Sequence, residues 1–405
     1  MADFNRKTVK KFIYLSAIAL IFFTACASSH KNISETRINQ SNEKNETTPR
    51  DTITLIFGGD IMAHSVNYNI SSYSKIWRDI KYIFDDSDVA FANIESPIDT
   101  LKPISSYPNF NMNQKYVEAA VDCGFNVFSL CNNHSNDMFL EGIKETIKTT
   151  ERITKNRKES GHSVYFSGLK ETAKSTFSYN IVESLGWKIL FLPVTELLNR
   201  PDFSSYINYI KTDDRARKEF ISLVRQLRAE NKCDLFVISI HTSEPEYTRV
   251  VTDSQASFYD ELLNAGADIV WANHPHIIKN RKIIIDTISN RDKIIMYANG
   301  NTISGQRTKP ELTSKNPVGE RDNTGDGLLY KVILKKNKDG SMKIQKCEPI
   351  YITTYINTAN EYVVKPLNQD FVDYLYDVQR TDWAKYIERR IKINKDATKD
   401  LIEWR

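Results

Sequence analysis

The chain has 405 residues, of which 40% are hydrophobic and 11% aromatic, so it can bury a large core and is not intrinsically disordered. Its 55 basic and 51 acidic residues leave a net charge of only +4. This near balance gives no argument for nucleic acid, which we do not expect as a partner.

The N-terminus carries a targeting segment that does not belong to the fold. Basic residues within 6–11 precede an apolar run at 12–23, and small residues and Cys26 follow it. The run is shorter than the roughly 20 residues of a membrane-spanning helix. Residues 1–26 therefore resemble a bacterial lipoprotein signal, in which Cys26 is lipidated after cleavage. An ordinary cleaved signal or an uncleaved anchor is the alternative.

Residues 27–50 are rich in Ser, Asn, Thr, Glu and Lys and nearly lack large apolar side chains, which is typical of a flexible tether. We therefore expect an exported protein of the cell envelope, anchored to the membrane by lipid. The other cysteines lie in apolar contexts that favour buried thiols and leave their disulfide state open. They are Cys123, Cys131, Cys233 and Cys347, without the Cys-x-x-Cys spacing of a zinc–thiolate site.

Strand-like and helix-like segments alternate from residue 52 onward. Strands are predicted at 53–57, 88–93 and 125–130, and helices at 75–84, 115–123 and 140–153. This βαβα order predicts a layered α/β domain, because each crossover helix must pack on the sheet.

The second half of the chain continues the alternation. A hairpin at 177–194 is followed by a helix at 213–230, a strand at 235–240, a helix at 255–264 and strands at 268–271, 282–286 and 293–297. A last hairpin at 328–352 precedes a charged helical tail at 369–404. We place the main domain at 51–310 and assign 311–405 to a β-hairpin with a C-terminal helical extension.

Polar side chains stand at or just beyond the ends of the predicted strands, and they include four of only seven histidines. They are Asp60, Glu95, Asn133, His134, His241, His274 and His276. Because the carboxyl ends of strands in an open α/β fold converge on one crevice, we expect these residues to line a single pocket. Carboxylate, amide and imidazole groups together are the ingredients of a metal or phosphate site.

Each motif has a plain structural alternative. Asp60 alone would be read as a helix N-cap, and the run Asn132–Asp137 as a polar turn. A simple turn does not need His134, however, and amide oxygen and imidazole are both metal ligands. His274 and His276 flank a proline of fixed φ, so the pair can face one metal ion or two adjacent ions.

The order of these motifs resembles that of the CapA-type capsule synthesis proteins, named for bacterial poly-γ-glutamate capsule biosynthesis. The matching segments are Gly59-Asp60, Asn93-Ile94-Glu95, Asn132 to Asp137, His241 with Glu246-Tyr247, His274-Pro275-His276, and Tyr297 to Asn301. The resemblance spans about residues 52–305. These proteins are similar to the calcineurin-like metallophosphatases, which implies a four-layer α/β/β/α sandwich.

The resemblance also implies roles for individual side chains. The implied metal ligands are Asp60, Glu95, Asn133, His241, His274 and His276, and the ions would be Mn, Zn or Fe. His134 would contact the substrate, and we assign it and Asp137 as catalytic. We expect substrate contacts from His64, Asn93, Glu246 and Asn301.

Two functional hypotheses stay open, because Ile61-Met62 replaces the Asp-x-His opening of the metallophosphatases and Glu95 stands near their bridging aspartate. The first is a metal-dependent hydrolase-like enzyme acting on poly-γ-glutamate or another envelope polymer. The second is a non-catalytic polymer-binding or export accessory protein that uses the same crevice. In both, an anionic polymer and capsule-synthesis membrane proteins are the expected partners.

Overall fold

A computed structural model describes residues 49–405. The predicted signal segment, the lipidation of Cys26 and residues 27–48 of the predicted tether lie outside the described residues and stay predictions. Within residues 49–405, every helix is too short or too polar to span a lipid bilayer.

Fifteen strands and nine α-helices alternate along the described residues. The strands are β1 (Thr52–Ile61), β2 (Val89–Ile94), β3 (Val127–Ser129), β4 (Tyr165–Ser167), β5 (Asn180–Ser184), β6 (Trp187–Thr195), β7 (Leu235–His241), β8 (Ile269–Asn273), β9 (Arg281–Ile285), β10 (Lys293–Met296), β11 (Asn301–Ile303), β12 (Asp326–Lys336), β13 (Met342–Ile356), β14 (Tyr362–Pro366) and β15 (Asp400–Trp404). The helices are α1 (Ser65–Tyr68), α2 (Ser74–Trp77), α3 (Gln114–Cys123), α4 (Phe139–Glu159), α5 (Asp214–Glu230), α6 (Asp253–Asn264), α7 (Glu320–Asn323), α8 (Gln369–Asp377) and α9 (Thr381–Ala397).

The strands form two sheets. The first has the order β14-β13-β12-β1-β2-β3-β4, with β11 also pairing with β1, and the second has the order β15-β9-β10-β8-β7-β6-β5. The centre of each sheet is parallel, through β1, β2 and β3 in the first and β6, β7 and β8 in the second. All of these parallel strands therefore end at the same edge of their sheet.

Apolar side chains on the inner strand faces pack the two sheets together. Phe57 stacks on Phe91 with ring centroids 4.6 Å apart, and Trp271 of the second sheet lies 6.0 Å from Phe57. The Trp271 indole N–H donates to the Gly58 carbonyl at 2.9 Å, which joins the sheets beside the end of β1. Because these parallel strands are buried on both faces, their sequences are nearly continuous apolar runs.

Helices cover the outer face of each sheet. One apolar cluster joins the first sheet to α3 and α4, and another joins the second sheet to α5 and α6. The order of layers is therefore helix, sheet, sheet, helix, which confirms the predicted α/β/β/α sandwich. Cys123 and Cys131 are buried in the first of these clusters, and all four described cysteines are free thiols.

The C-terminal part of the chain adds strands to both sheets. The hairpin β12–β13 pairs as predicted, and β12 lies directly beside β1. The prediction of a helix through residue 404 is wrong, because residues 400–404 form β15 along the edge of β9. The segment at 75–84 is also not one helix but α2 followed by a 3-10 turn at Lys81–Phe84. The predicted domain boundary at residue 310 stays a prediction.

Candidate metal centre

The carboxyl ends of the central parallel strands bring the predicted residues to one place. In the first sheet, Asp60 of β1 pairs in register with Asn93 of β2, and Glu95 follows one residue after β2 ends. In the second sheet, His241 ends β7. All seven expected pocket residues are buried, each less than 5% exposed: Asp60, Glu95, Asn133, His134, His241, His274 and His276. The structure therefore brings the set together, while their roles as ligands or catalysts stay predictions.

Glu95 lies between the two sheets at this edge. Its Oε1 atom is 3.8 Å from His241 Nε2 and 3.7 Å from His276 Nε2. Neither carboxylate oxygen has a hydrogen-bond partner among the described residues. A buried ionised carboxylate without a partner is strongly disfavoured. Accordingly, burial first and the charge of Asp60 second raise the pKa of Glu95 well above its ordinary value.

Two groups of three side chains have the geometry to hold a cation. In each group the ligand atoms lie within 4.8 Å of one another. The groups are Asp60, Glu95 and His241, and Glu95, His274 and His276. Because Glu95 belongs to both, the arrangement suits one divalent ion or two adjacent ions that share this carboxylate. The unpartnered oxygens of Glu95 and the unpartnered Nδ1 of His274 are the free donors that a metal ion requires.

Neighbouring side chains orient the candidate ligands. Asp60 Oδ1 accepts a hydrogen bond from the Asn93 amide at 2.8 Å, and Asp60 Oδ2 lies 3.3 Å from His276 Nδ1. His276 Nδ1 also lies 3.0 Å from Asn301 Oδ1, which leaves Nε2 on the side of Glu95. Outer hydrogen bonds of this kind fix ring orientation at metal sites. Asn93 and Asn301, expected to contact substrate, thus lie beside the candidate ligands instead.

The histidine rings differ in how readily they take up a proton. Burial, followed by the neighbouring histidines, lowers the pKa of both His241 and His274 well below the ordinary value. Burial also opposes the charged form of His276, but the carboxylates of Glu95 and Asp60 outweigh it and raise its pKa to about 9. Neutral imidazole is the form that binds a metal, so His241 and His274 are already in the ligating state.

The loop that carries the paired histidines is strained. His274 has φ 101°, His276 has φ 56° and Tyr247, on the neighbouring loop, has φ 64°. Such backbone costs about 1–3 kcal/mol per residue and persists only where the surroundings hold it. The Tyr247 N–H donates to the Pro275 carbonyl at 3.0 Å, and the His274 N–H donates to Asp60 at 3.3 Å. Three of the nine non-glycine residues with positive φ among residues 49–405 therefore lie at this site, and held backbone of this kind is common at functional sites.

His134 is held by Asp137 and an aromatic ring. Its Nδ1 lies 2.7 Å from Asp137 Oδ2, which also accepts the Phe110 N–H at 2.7 Å. The Phe110 ring meets the His134 ring edge-on at 4.7 Å. The other candidate ligand of this loop, Asn133, places its Oδ1 atom 2.8 Å from His241 Nε2. Asp137 is therefore a positioning residue for His134, a role that the Asn132–Asp137 motif by itself did not specify.

An opening of about 450 Å³ leads to this centre. It is lined by Met62, His64, Tyr107, His134, Glu246, Tyr247, His276, Gly305, Gln306, Thr308 and Arg321. His64 and Glu246 thus lie where the substrate was expected. Arg321 was missed, because it belongs to no strand-end motif. Tyr107, Gln306 and Thr308 were missed for the same reason, and no local signal in the sequence marks any of the four.

His64 has a defined hydrogen-bonding state. Its Nδ1 atom accepts the Gly305 N–H at 3.1 Å, so in the neutral ring the proton lies on Nε2. Burial, then the charges of His276 and His134, lower the pKa of His64 to about 3, which keeps the ring neutral. His64 can therefore act as a neutral hydrogen-bond donor.

Comparison with known proteins identifies related sequences. The family model described as "Bacterial capsule synthesis protein PGA_cap" matches residues 54–306. The chain is 24% identical over 346 residues to the PGA biosynthesis protein CapA of Bacillus subtilis (strain 168), covering 84% of this chain and 81% of the relative. It is 26% identical over 323 residues to the capsule biosynthesis protein CapA of Bacillus anthracis, covering 76% and 73%.

Solved structures give more distant similarities. NAD nucleotidase of Haemophilus influenzae aligns with a TM-score of 0.43 at 10% identity, covering 87% of this chain and 57% of that one. The calcineurin-like phosphoesterase YfkN of Bacillus subtilis aligns with a TM-score of 0.39 at 11% identity, covering 83% and 99%. Similarity at this level carries no argument about activity.

Proposed function

Since the chain belongs to the bacterial capsule synthesis protein family PGA_cap, we propose that it is a metal-dependent hydrolase-like enzyme acting on an anionic polymer of the capsule or cell envelope, such as poly-γ-glutamate. The observation that carries this proposal is the carboxylate of Glu95, which is fully buried among histidines with both oxygens unpartnered. A divalent cation would supply the missing partner for these oxygens.

The side chains that would hold this cation are the strand-end set. They are Asp60, Glu95, Asn133, His241, His274 and His276. Their mixed oxygen and nitrogen donors suit Mn, Zn or Fe. When bound, such an ion polarises the substrate oxygen as a Lewis acid and activates water near neutral pH.

The protein's own groups supply the remaining chemistry. Asp137 accepts the Nδ1–H of His134, which fixes the ring and leaves Nε2 to exchange a proton with the substrate. His64 Nε2–H donates a hydrogen bond to a substrate oxygen in the same opening. His134, which exchanges a proton, and His64, which donates a hydrogen bond, therefore line the same opening. Together they are a minimal set of groups for hydrolysis.

A second candidate function is polymer binding without turnover. Ile61 and Met62 stand where the metallophosphatase pattern has a ligand-bearing segment, and both side chains are buried and apolar. One ligand of a two-metal site is therefore absent. In this case the same opening holds the polymer for export or assembly, and the metal has a structural role.

We further propose that Cys26 is lipidated and that the enzyme works outside the cytoplasm beside capsule-synthesis membrane proteins. The basic, apolar and small-residue order before Cys26 supports this. Cys26→Ala should abolish labelling of the protein with a radioactive fatty acid. Labelling at the wild-type level in that variant would refute the anchor.

Turnover of substrate by metal-loaded protein distinguishes the two candidate functions. The test compares wild type and His134→Ala on phosphomonoester, phosphodiester and poly-γ-glutamate substrates. The enzymatic proposal predicts turnover that falls about 10²–10⁴-fold in His134→Ala while metal content stays the same. Lys338→Ala, in an exposed turn between β12 and β13, is the control and should match wild type. Inert wild type that binds poly-γ-glutamate would favour the binding function.

A further inference from the structure

Arg321 brings a positive charge to the opening without a counter-charge of its own. It lines the cavity together with His134, Glu246 and His276, and its side chain is exposed. Among residues 49–405, no carboxylate forms an ion pair with Arg321 within 4 Å, whereas Arg307 and Arg390 both pair with Asp326. Its guanidinium lies 5.3 Å from the centroid of the Tyr247 ring.

Hydrogen bonds of the next two residues hold the backbone of Arg321 at the opening. The preceding and following loops are held through Asp322, whose carboxylate accepts the Glu311 N–H at 3.0 Å and the Tyr386 hydroxyl. Asn323 Oδ1 accepts hydrogen bonds from Arg249 at 3.2 Å and from an arginine of α9 at 2.9 Å. The side chains of Asp322 and Asn323 thus make hydrogen bonds within the fold, whereas the exposed side chain of Arg321 lines the opening.

Tyr247 connects this cation to the candidate metal centre. Its N–H donates to the carbonyl of Pro275, which lies between His274 and His276. The Arg321 guanidinium lies beside the Tyr247 ring and interacts with the Tyr247 hydroxyl, and the other N–H groups of its planar fork can donate to a carboxylate. The position of Arg321 is therefore coupled, through one tyrosine, to the loop that carries two candidate ligands.

On this basis we propose that Arg321 determines specificity by binding one carboxylate of the polymer, on the unit next to the one at the metal centre. This inference rests on the proposed function, because it takes the polymer as the substrate. Bidentate hydrogen bonds between a guanidinium and a carboxylate are among the strongest available at a partly exposed site. Glu246, which is 3.9 Å from His274, adds a negative charge to the same wall and disfavours a second anionic group there.

The pocket therefore selects for a chain with a single carboxylate per unit and a neutral linkage. Gln306 supplies an amide for that linkage, since its Oε1 already accepts from Asn301 at 2.9 Å and its amide hydrogens stay available to the substrate. Arg321 and Thr308 lie beyond residue 306, where the family match ends. The C-terminal segment thus supplies the anion-binding part of the wall.

The test measures binding of a fluorescent poly-γ-glutamate oligomer to the purified, Mn²⁺-loaded full chain by anisotropy. Arg321→Met should weaken binding on the order of 10- to 100-fold, and Arg321→Lys by less, because lysine keeps the charge but loses the fork. Arg215→Met removes an exposed guanidinium of α5 that pairs with Glu219 outside the opening, and this variant should bind as wild type does. An oligomer whose carboxylates have been amidated should bind wild type and Arg321→Met equally.

The outcomes separate this inference from the proposed function. Calorimetric titration with Mn²⁺ should give the same affinity for wild type and Arg321→Met, because Arg321 is not a candidate ligand. Wild-type binding of the oligomer with no loss in Arg321→Met would overturn the role of Arg321 and leave the proposed function standing. Failure of wild type to bind the oligomer would overturn both the role of Arg321 and the polymer as substrate, whatever the Mn²⁺ result.

Discussion

Glu95 and Asp326 are both completely buried carboxylates, yet their surroundings are opposite. Asp326 Oδ1 pairs with Arg307 at 3.0 Å, and Oδ2 pairs with Arg390 at 2.7 Å and accepts from Asn394 at 2.6 Å. Glu95 has no hydrogen-bond partner on either oxygen among the described residues. A buried charge with every lone pair engaged is a structural element, whereas one with none engaged requires a partner from solution.

The pKa values show the same contrast. Burial opposes ionisation of Asp326, but Arg390 and Arg307 outweigh it and lower the pKa below the ordinary value. At Glu95 nothing outweighs burial, and the pKa rises. The Asp326 cluster joins β12 to α9 and to the segment before Arg321, so it shapes one wall of the opening. His276, which lies 3.7 Å from Glu95, lines the same opening.

The largest effect is expected when the paired carboxylate is removed. Asp326→Asn leaves two arginines buried without a counter-charge, so the free energy of unfolding should fall by about 3–5 kcal/mol. Urea denaturation followed by circular dichroism measures it. Asp122→Asn breaks a pair with Arg157 in which the Asp122 side chain is 58% exposed, and should cost less than about 1 kcal/mol. Equal losses of unfolding free energy in the two variants would show that burial does not change what an ion pair contributes.

Metal should stabilise the folded protein by the next largest amount. Because only the folded state assembles the Glu95 cluster, Mn²⁺ at 100 times its dissociation constant should add about 2.7 kcal/mol. Thermal unfolding with and without Mn²⁺, and again after a chelator, measures this gain and its reversal. The same gain in His274→Ala/His276→Ala would place the metal elsewhere in the protein.

A smaller effect is expected when Glu95 is replaced in metal-free protein. Burial favours the uncharged form of Glu95 and neither oxygen has a hydrogen-bond partner among the described residues, so Glu95→Gln replaces it with an uncharged group of similar shape. The free energy of unfolding in chelator should therefore stay within about 1 kcal/mol of wild type or rise. Urea denaturation of Glu95→Gln and of Asp326→Asn under the same conditions compares their free energies of unfolding directly. A loss as large as that of Asp326→Asn would show that Glu95 is a structural residue.

The difference in stability between wild type and Asp326→Asn should depend on pH through the ionisation of Asp326. Its folded pKa is depressed, so its contribution is present above the unfolded value of about 3.9 and is lost as pH falls through the lower folded pKa. The stability difference between wild type and Asp326→Asn should therefore shrink below about pH 4. Denaturation at several pH values from neutral to acid measures it, and a constant difference throughout would contradict the assignment.

The strand-end residues could be predicted because one simple rule places them. Parallel strands end at the same edge, so Asp60, Glu95 and His241 had to converge once their strands were recognised. The alternation of strands and helices predicted a layered α/β domain, and the four-layer order was what the family resemblance implied. The structure brings these three side chains together and has the helix, sheet, sheet, helix order of layers.

Other features could not be predicted, because they depend on tertiary contacts. Asp326 and Arg390 are 64 residues apart in sequence and Asp326 and Arg307 are 19 apart, with no local pattern to relate the three. The left-handed backbone of His274 and His276 is adopted against the preference of these residues, since buried neighbours hold it. The sequence of β15 predicts a helix, because its alternation of polar and apolar residues covers only five positions and cannot be distinguished from the charged helical segment before it.

The most direct test of the account is the divalent metal content of wild type and Glu95→Gln after equilibration with Mn²⁺, Zn²⁺ or Fe²⁺ and removal of free metal. We predict that wild type retains metal and that Glu95→Gln retains far less, while in chelator its free energy of unfolding stays within about 1 kcal/mol of wild type or rises. Equal metal in the two proteins, or none in wild type with any of the three ions, would contradict the claim that the unpartnered carboxylate of Glu95 is a metal ligand.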